Sequence, residues 1–160
     1  DPFGRTFGGY ANGGGGIAGG FELGGNFSPR TGTQIQASYT YVNSDSRIPT
    51  VPPDYYSILD VSPHVFTMAA TQWIGRQTHV TFDLAAHSDY LLTLSGAGTR
   101  RFKFNGPVKP DIVVSHRLPF GEEHNVEVYG KIENMLGRRS YEDGYVGPGA
   151  WFTTGFRINY

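Results

Sequence analysis

Four sets of residues have types and spacings that could do chemistry. His79, Asp83 and His87 share one face of an alternating segment, residue types that ligate metals. At ~3.3 Å per strand residue, the two histidines lie about 26 Å apart and each about 13 Å from Asp83. Ligands held ~2.1 Å from one ion cannot span this. No metal site is expected within that strand, and a polar wall is the plainer reading, with a cross-strand site the alternative. Gly14, Gly16 and Gly19 satisfy G-x-G-x-x-G. A nucleotide loop, however, follows a strand and opens a helix, whereas here a strand follows, so these are loop or strand-entry glycines. Arg100, Arg101 and Lys103 interleave with Phe102 and Phe104. They read as a nucleic-acid patch or as a charged wall attracting an anionic ligand, and the wall is preferred. A net charge of −1 supplies no global field for nucleic acid. Tyr55, Tyr56 and Tyr145, with Trp151, either contact a ligand or join an aromatic belt at a membrane interface. No nucleophile motif is present, so neither enzymatic activity nor a cofactor is expected.

Strands must carry these residues. The chain has 160 residues, enough for one domain. Its 23 glycines and 14% aromatics, with only 17% charged residues against a typical ~25%, exclude a helical bundle or coiled coil. The absence of cysteine excludes a disulfide scaffold and thiolate metal sites. No run of about 18 apolar residues exists to make a transmembrane helix, and residues 1–10 show no signal-peptide pattern. A mean hydropathy of −0.34 looks soluble. A membrane barrel would score alike, because its strands alternate lipid-facing and lumen-facing residues.

That alternation dominates the chain. Ile17, Phe21, Leu23 and Phe27 stand against Glu22 and Asn26, and Ile35, Ala37, Tyr39 and Tyr41 against Gln34, Gln36, Ser38 and Thr40. Val80, Phe82, Leu84, Ala86, Tyr90, Leu92 and Leu94 oppose His79, Thr81, Asp83, His87 and Asp89. The segment 100–118 keeps one phase from Phe102 to Leu118, and 126–133 and 152–160 alternate likewise. Twelve charged residues in these segments fall on the polar face and none on the apolar face. Segment 64–74 is strand-like, but Val65, Ala69 and Trp73 compete with Phe66, Met68 and Ala70, leaving its phase undecided. Short connections at 28–32, 75–77 and 119–124 alternate with long excursions at 44–63, 95–99 (the tip of a long projecting hairpin) and 136–149. All short turns therefore fall at one end of the sheet, as in outer-membrane barrels. Segments 78–94 and 100–118 are expected to run unbroken through that hairpin, with Pro107 and Pro110 at a bulge or outside the central ladder.

The run from Val128 through Asn134 to Leu136 resembles the C-terminal end of TonB-dependent outer-membrane receptors, as do Tyr141, Gly144-Tyr145, Pro148-Gly149, Gly155 and Tyr160. Gly20-Phe21-Glu22 with Tyr39 and Tyr41 resembles an earlier hairpin of the same family. Met135-Leu136-Gly137 and Ala150 depart from its usual Leu-Phe-Asp and Arg. The resemblance spans about residues 10–160. It implies an all-β, antiparallel, up-and-down transmembrane barrel segment, about seven strands of a 22-stranded barrel. Residues 1–160 would then be the C-terminal portion, 1–16 the remnant of an extracellular loop, and the plug domain would be absent. The implied protein is an active transporter of the Gram-negative outer membrane for a ferric siderophore or similar bulky nutrient. It would meet outer-membrane lipid, and the TonB complex through the plug. The resemblance also implies an assembly signal read by the barrel-assembly machinery, carried by Phe152, Phe156, Ile158 and Tyr160. Two alternatives stand beside it. One is a small standalone or oligomeric barrel or pore with an eighth strand within residues 1–10. The other is a soluble all-β binding module with its apolar faces packed sheet on sheet.

Overall fold

The computed structural model describes residues 16–46, 61–93, 101–120, 124–142 and 145–159. Among these residues there are eleven strands and no helix. Seven form one antiparallel sheet: β1 (Gly16–Phe27), β2 (Thr33–Ser46), β3 (His64–Ile74), β4 (Thr78–His87), β7 (Val108–Phe120), β8 (His124–Glu133) and β11 (Trp151–Asn159). Each pairs only with its neighbours in that order, so the chain runs up and down without crossing itself. β5 (Tyr90–Thr93) with β6 (Arg101–Phe104), and β9 (Tyr141–Glu142) with β10 (Tyr145–Val146), make two small separate ladders. The seven main strands are 9 to 14 residues long, against about 9–11 needed to cross a bilayer when tilted. Among the described residues β1 and β11 do not pair, so the sheet is open, and both run in the same direction.

Register settles the faces, because residues directly opposite in an antiparallel pair share a side. Phe27, Ile35, Ala70, Phe82, Ile112, Ile132 and Phe152 form one continuous row across all seven strands. That row places the even positions of β3 (Phe66, Met68 and Ala70) on the apolar face, and Val65, Thr67, Ala69, Thr71 and Trp73 on the polar one. Twelve of the thirteen exposed large hydrophobic side chains on the seven strands lie on the apolar face, from Ile17 at 71% to Val128 at 39%. Trp151, at the start of β11, is the exception. The only buried hydrophobic side chain among the described residues is Leu92, in the small β5–β6 ladder. The polar face, by contrast, holds Ser115 at 4% exposure. β2 extends beyond the alternating segment to Ser46, which brings Asp45 opposite Ile17 at the excursion end.

The two tight turns place glycine where the backbone demands it. Gly32 and Gly75 adopt φ values of 81° and 67°, where a Cβ is strained. The Gly32 carbonyl accepts from the Trp73 amide at 2.7 Å, binding the first turn to the neighbouring strand.

The long hairpin differs from expectation in two ways. The alternation through 78–94 and 100–118 is not one continuous ladder: it breaks at Ser88-Asp89 and at Asn105-Gly106-Pro107. The His87 amide donates to the Pro107 carbonyl at 2.9 Å, and the Ser88 amide donates sideways to His64 at 2.9 Å. Gly106 N–H meets the Asp89 carboxylate at 3.1 Å. These bonds end the main ladder and start a second. Pro107 thus lies between strands, as its missing N–H requires, but Pro110 sits within β7 opposite Leu84. The Pro110 carbonyl accepts from Met135 N–H at 2.8 Å, on the β8 side. Its nitrogen points to the same side, past the last residue of β8, so no ladder bond with β4 is lost.

Asp89 also pairs with Lys103 at 3.0 Å. The Gly106 amide first, and Lys103 next, hold its carboxyl below the ordinary aspartate value. A depressed folded value means the bond's contribution is full above the unfolded pKa of about 3.9 and is lost as the pH falls through the lower folded one. The hairpin base should therefore hold at neutral pH and loosen in acid. Pepsin digestion between pH 2 and 5 (about the window set by these values) should show cleavage within residues 88–107 rising at the acid end. With each rate divided by that of an unfolded control peptide at the same pH, which removes pepsin's own pH dependence, Asp89→Asn should show no such rise.

Candidate functional site

The polar face is concave and encloses a recess of about 610 Å³. Side chains on different strands line it, among them Gln36, Thr67, Asp83, Asp111, Glu133 and Trp151. Hydroxyl pairs tie its wall across the strands, Ser38 to Thr67 at 2.7 Å and Thr71 to Thr81 at 2.9 Å. Asp83 and Asp111 stand directly opposite each other, an unfavourable pair of like charges that Lys131 relieves on the Asp111 side. Lys131 lies 3.6 Å from Asp111 and 2.8 Å from Glu133, all three side chains half-buried. Among the described residues no group of His, Asp and Glu could hold a metal ion. The His79 ring instead lies tilted against the Trp73 ring, with centres 4.6 Å apart.

At the excursion end, Asn134 organises the connection from β8 to β11. It is 5% exposed and adopts φ 49°, a left-handed conformation that asparagine tolerates better than most residues. Its backbone N–H donates to Asp111 at 2.8 Å. Its side-chain amide donates to the Arg138 carbonyl at 2.8 Å and to the Pro148 carbonyl at 3.0 Å, closing the loop between residues far apart in sequence. Gly137 N–H donates back to the Asn134 carbonyl at 2.7 Å. Asn134→Ala would leave two carbonyls without their donor and place alanine in a left-handed conformation, at a cost of about 3 kcal/mol together. The expected result is faster proteolysis of residues 136–149, with the seven-stranded sheet retained by circular dichroism.

The two excursions also touch each other. Tyr90 Oη donates to the Tyr141 carbonyl. Phe104 lies between the Tyr90 and Tyr141 rings, with centres 5.7 Å and 5.6 Å away. This aromatic group, like Asn134 in its closing role, was not singled out as a site by sequence reasoning. Tyrosines and phenylalanines clustered near loop boundaries were its only signal.

Of the residues expected to meet a ligand, Tyr55, Tyr56 and Arg100 lie outside the described residues. Arg101 pairs through its backbone with Thr93 at the end of the β5–β6 ladder. Lys103 sits in that small ladder rather than in the seven-stranded wall, and is held by Asp89. Tyr145, in β10, is 80% exposed. Phe152, Phe156 and Ile158 all lie exposed on the apolar face of the edge strand β11, and Tyr160 lies outside the described residues.

Aromatic groups also mark the apolar face near the excursion end. Phe21 lies 5.7 Å from Tyr41, Tyr41 lies 5.1 Å from His64, and Tyr39 Oη is hydrogen-bonded to His64 Nδ1 at 2.7 Å. At the turn end of the same face Thr78 is bonded to His116 at 2.8 Å, and Arg30 and Thr33 to Gln72. Polar groups thus border the apolar band at both ends. No protein-family model matches this chain, and no curated protein matches it.

Proposed function

We propose that this chain is a section of outer-membrane β-barrel wall, the C-terminal part of a TonB-dependent active transporter for a ferric siderophore or similar bulky nutrient. One observation carries the reading: the seven-stranded meander turns its large apolar side chains outward and its charged side chains inward. A water-soluble sheet does the reverse, or covers its apolar face with a second layer. Among the described residues that face has no second layer. Lipid would cover it. The placement of both excursions and the long 47–63 connection at one end supports the same reading, as does the resemblance of residues 128–160 to the barrel end of these receptors. The open edges of β1 and β11 would be paired by further strands, because unpaired backbone groups in lipid cost several kcal/mol each. In this role the chain supplies wall and outer loops. The ligand would enter among the excursions and be released inward when the TonB complex acts on the plug.

The test is the size and location of the native product, probed in cell fractions with an antibody against loop 136–150. An outer-membrane band several times heavier than 17.6 kDa is expected. A band near that mass in the membrane would overturn the large barrel in favour of a small or oligomeric pore. The same small band in the soluble fraction would overturn the membrane reading altogether.

A further inference from the structure

A second, smaller recess of about 300 Å³ lies at the excursion end, between the β6–β7 joint and the loop after β8. Asn105, Gly106, Lys109, Arg138, Arg139 and Ser140 line it. Two features set it apart. Among the described residues neither Arg138 nor Arg139 has an ion-pair partner, although both are exposed on a loop whose backbone Asn134 clamps in place. Ser140, only 6% exposed, buries its Oγ without any hydrogen-bond partner. A buried hydroxyl left unpaired is uncommon in a folded protein and calls for an acceptor or donor from outside. Lys109 and Ser140 both line the recess beside the two arginines. Lys109 already has a partner, and the uncompensated charge is that of the two arginines.

We infer that this recess is a binding site for a phosphomonoester, with Arg138 and Arg139 engaging the phosphate oxygens and Ser140 donating its hydroxyl to one of them. Two positive charges suit a dianion better than a carboxylate, and guanidinium groups match the geometry of phosphate oxygens. The volume exceeds that of a phosphate alone, so the phosphate would be carried on a larger body. The loop is already braced by Asn134 and by Gly147 N–H donating to the Ser140 carbonyl at 2.7 Å, so little ordering is needed on binding. The site depends on the β6–β7 joint and the loop alone, and holds whether or not lipid covers the apolar face.

The experiment is ³¹P NMR of inorganic phosphate and of phenyl phosphate added to the full chain in a zwitterionic detergent, with phosphatidic acid as a second arm. Saturable line broadening is expected, weakening as salt rises. Arg138→Gln with Arg139→Gln should weaken binding by at least about tenfold, Ser140→Ala by a few-fold, and Arg138→Lys with Arg139→Lys should restore part of it. Because both arginines are exposed, the double variant should keep the circular dichroism of the parent. Binding of phenyl phosphate that phosphatidic acid does not displace supports a soluble phosphomonoester. Displacement supports a lipid headgroup as the source of the same chemistry. No saturable broadening with any probe, or broadening unchanged in the double glutamine variant, overturns the site.

Discussion

Under the proposed membrane reading, arginine in place of Val114 is expected to cut the amount of protein recovered in membrane fractions, while the same residue in place of Thr81 is expected to be tolerated. Val114 lies on β7 in mid-sheet, 43% exposed on the apolar face, between Val80 and Gly130 in the register. If lipid covers that face, a charge near mid-bilayer costs about 2–4 kcal/mol. At 1.4 kcal/mol per factor of ten this is a roughly 30- to 700-fold shift against insertion. If water covers it, an exposed strand position changes stability by no more than ~1 kcal/mol. Thr81 faces the concave side opposite Thr71 and Val113, where an added charge meets other polar groups. Equal recovery of the two variants in membrane fractions, measured by quantitative blotting, would count against lipid as the covering. This prediction turns on which face is apolar rather than on how many strands complete the wall.

The second large effect falls on Gly106. A Cβ there would lie 1.9 Å from the His87 carbonyl oxygen and 2.4 Å from that of Ser88. Both are backbone atoms of the strand end, so neither can swing aside as a side-chain tip would. Gly106→Ala must push the β6–β7 joint away from β4. That breaks the Gly106 bond to Asp89 and strains the His87 bond to Pro107. Overpacking with the loss of one or two bonds amounts to about 3 kcal/mol or more. Because Tyr90 and Phe104 hold Tyr141, the damage should spread to the loop after β8. Limited proteolysis should then cut both excursions faster than in the parent, with the main sheet intact. Cleavage confined to residues 88–107 would show that the aromatic contacts do not couple the two.

The strands were legible because alternation is a local property. A charged residue on every second position declares its face without reference to any partner. β3 shows where that runs out. Val65, Ala69 and Trp73 are as apolar as Phe66, Met68 and Ala70, and only pairing with Ile35 on one side and Phe82 on the other decides between them. The break in the long hairpin was hidden for the opposite reason: its alternation continues through the joint, while the bonds that end the ladder join residues such as Ser88 and His64, distant in sequence. Gly106-Pro107 was a legible mark of that joint, but Pro110 was misread because proline's missing donor matters only on the side where a partner waits. Of the candidate ligand residues, Lys103 is expected from the alternation in a charged wall; its place in the small β5–β6 ladder and its engagement with Asp89 depend on the fold. Arg138 and Arg139 carry no motif that the sequence alone could flag. Nothing local distinguishes them from any solvated loop pair, because it is the buried hydroxyl of Ser140 and the clamp at Asn134 that give them a common target.

The first and last strands of the sheet point the same way, and this restricts what can join them. Pairing is antiparallel throughout, so a wall that returns from β11 to β1 without a parallel seam must add an odd number of strands. A head-to-tail ring of copies, all oriented alike and contributing these seven described strands alone, would carry one parallel seam per junction. Parity therefore requires an uneven complement: these seven strands cannot close on themselves by antiparallel pairing, and one, three or any odd number more can close them.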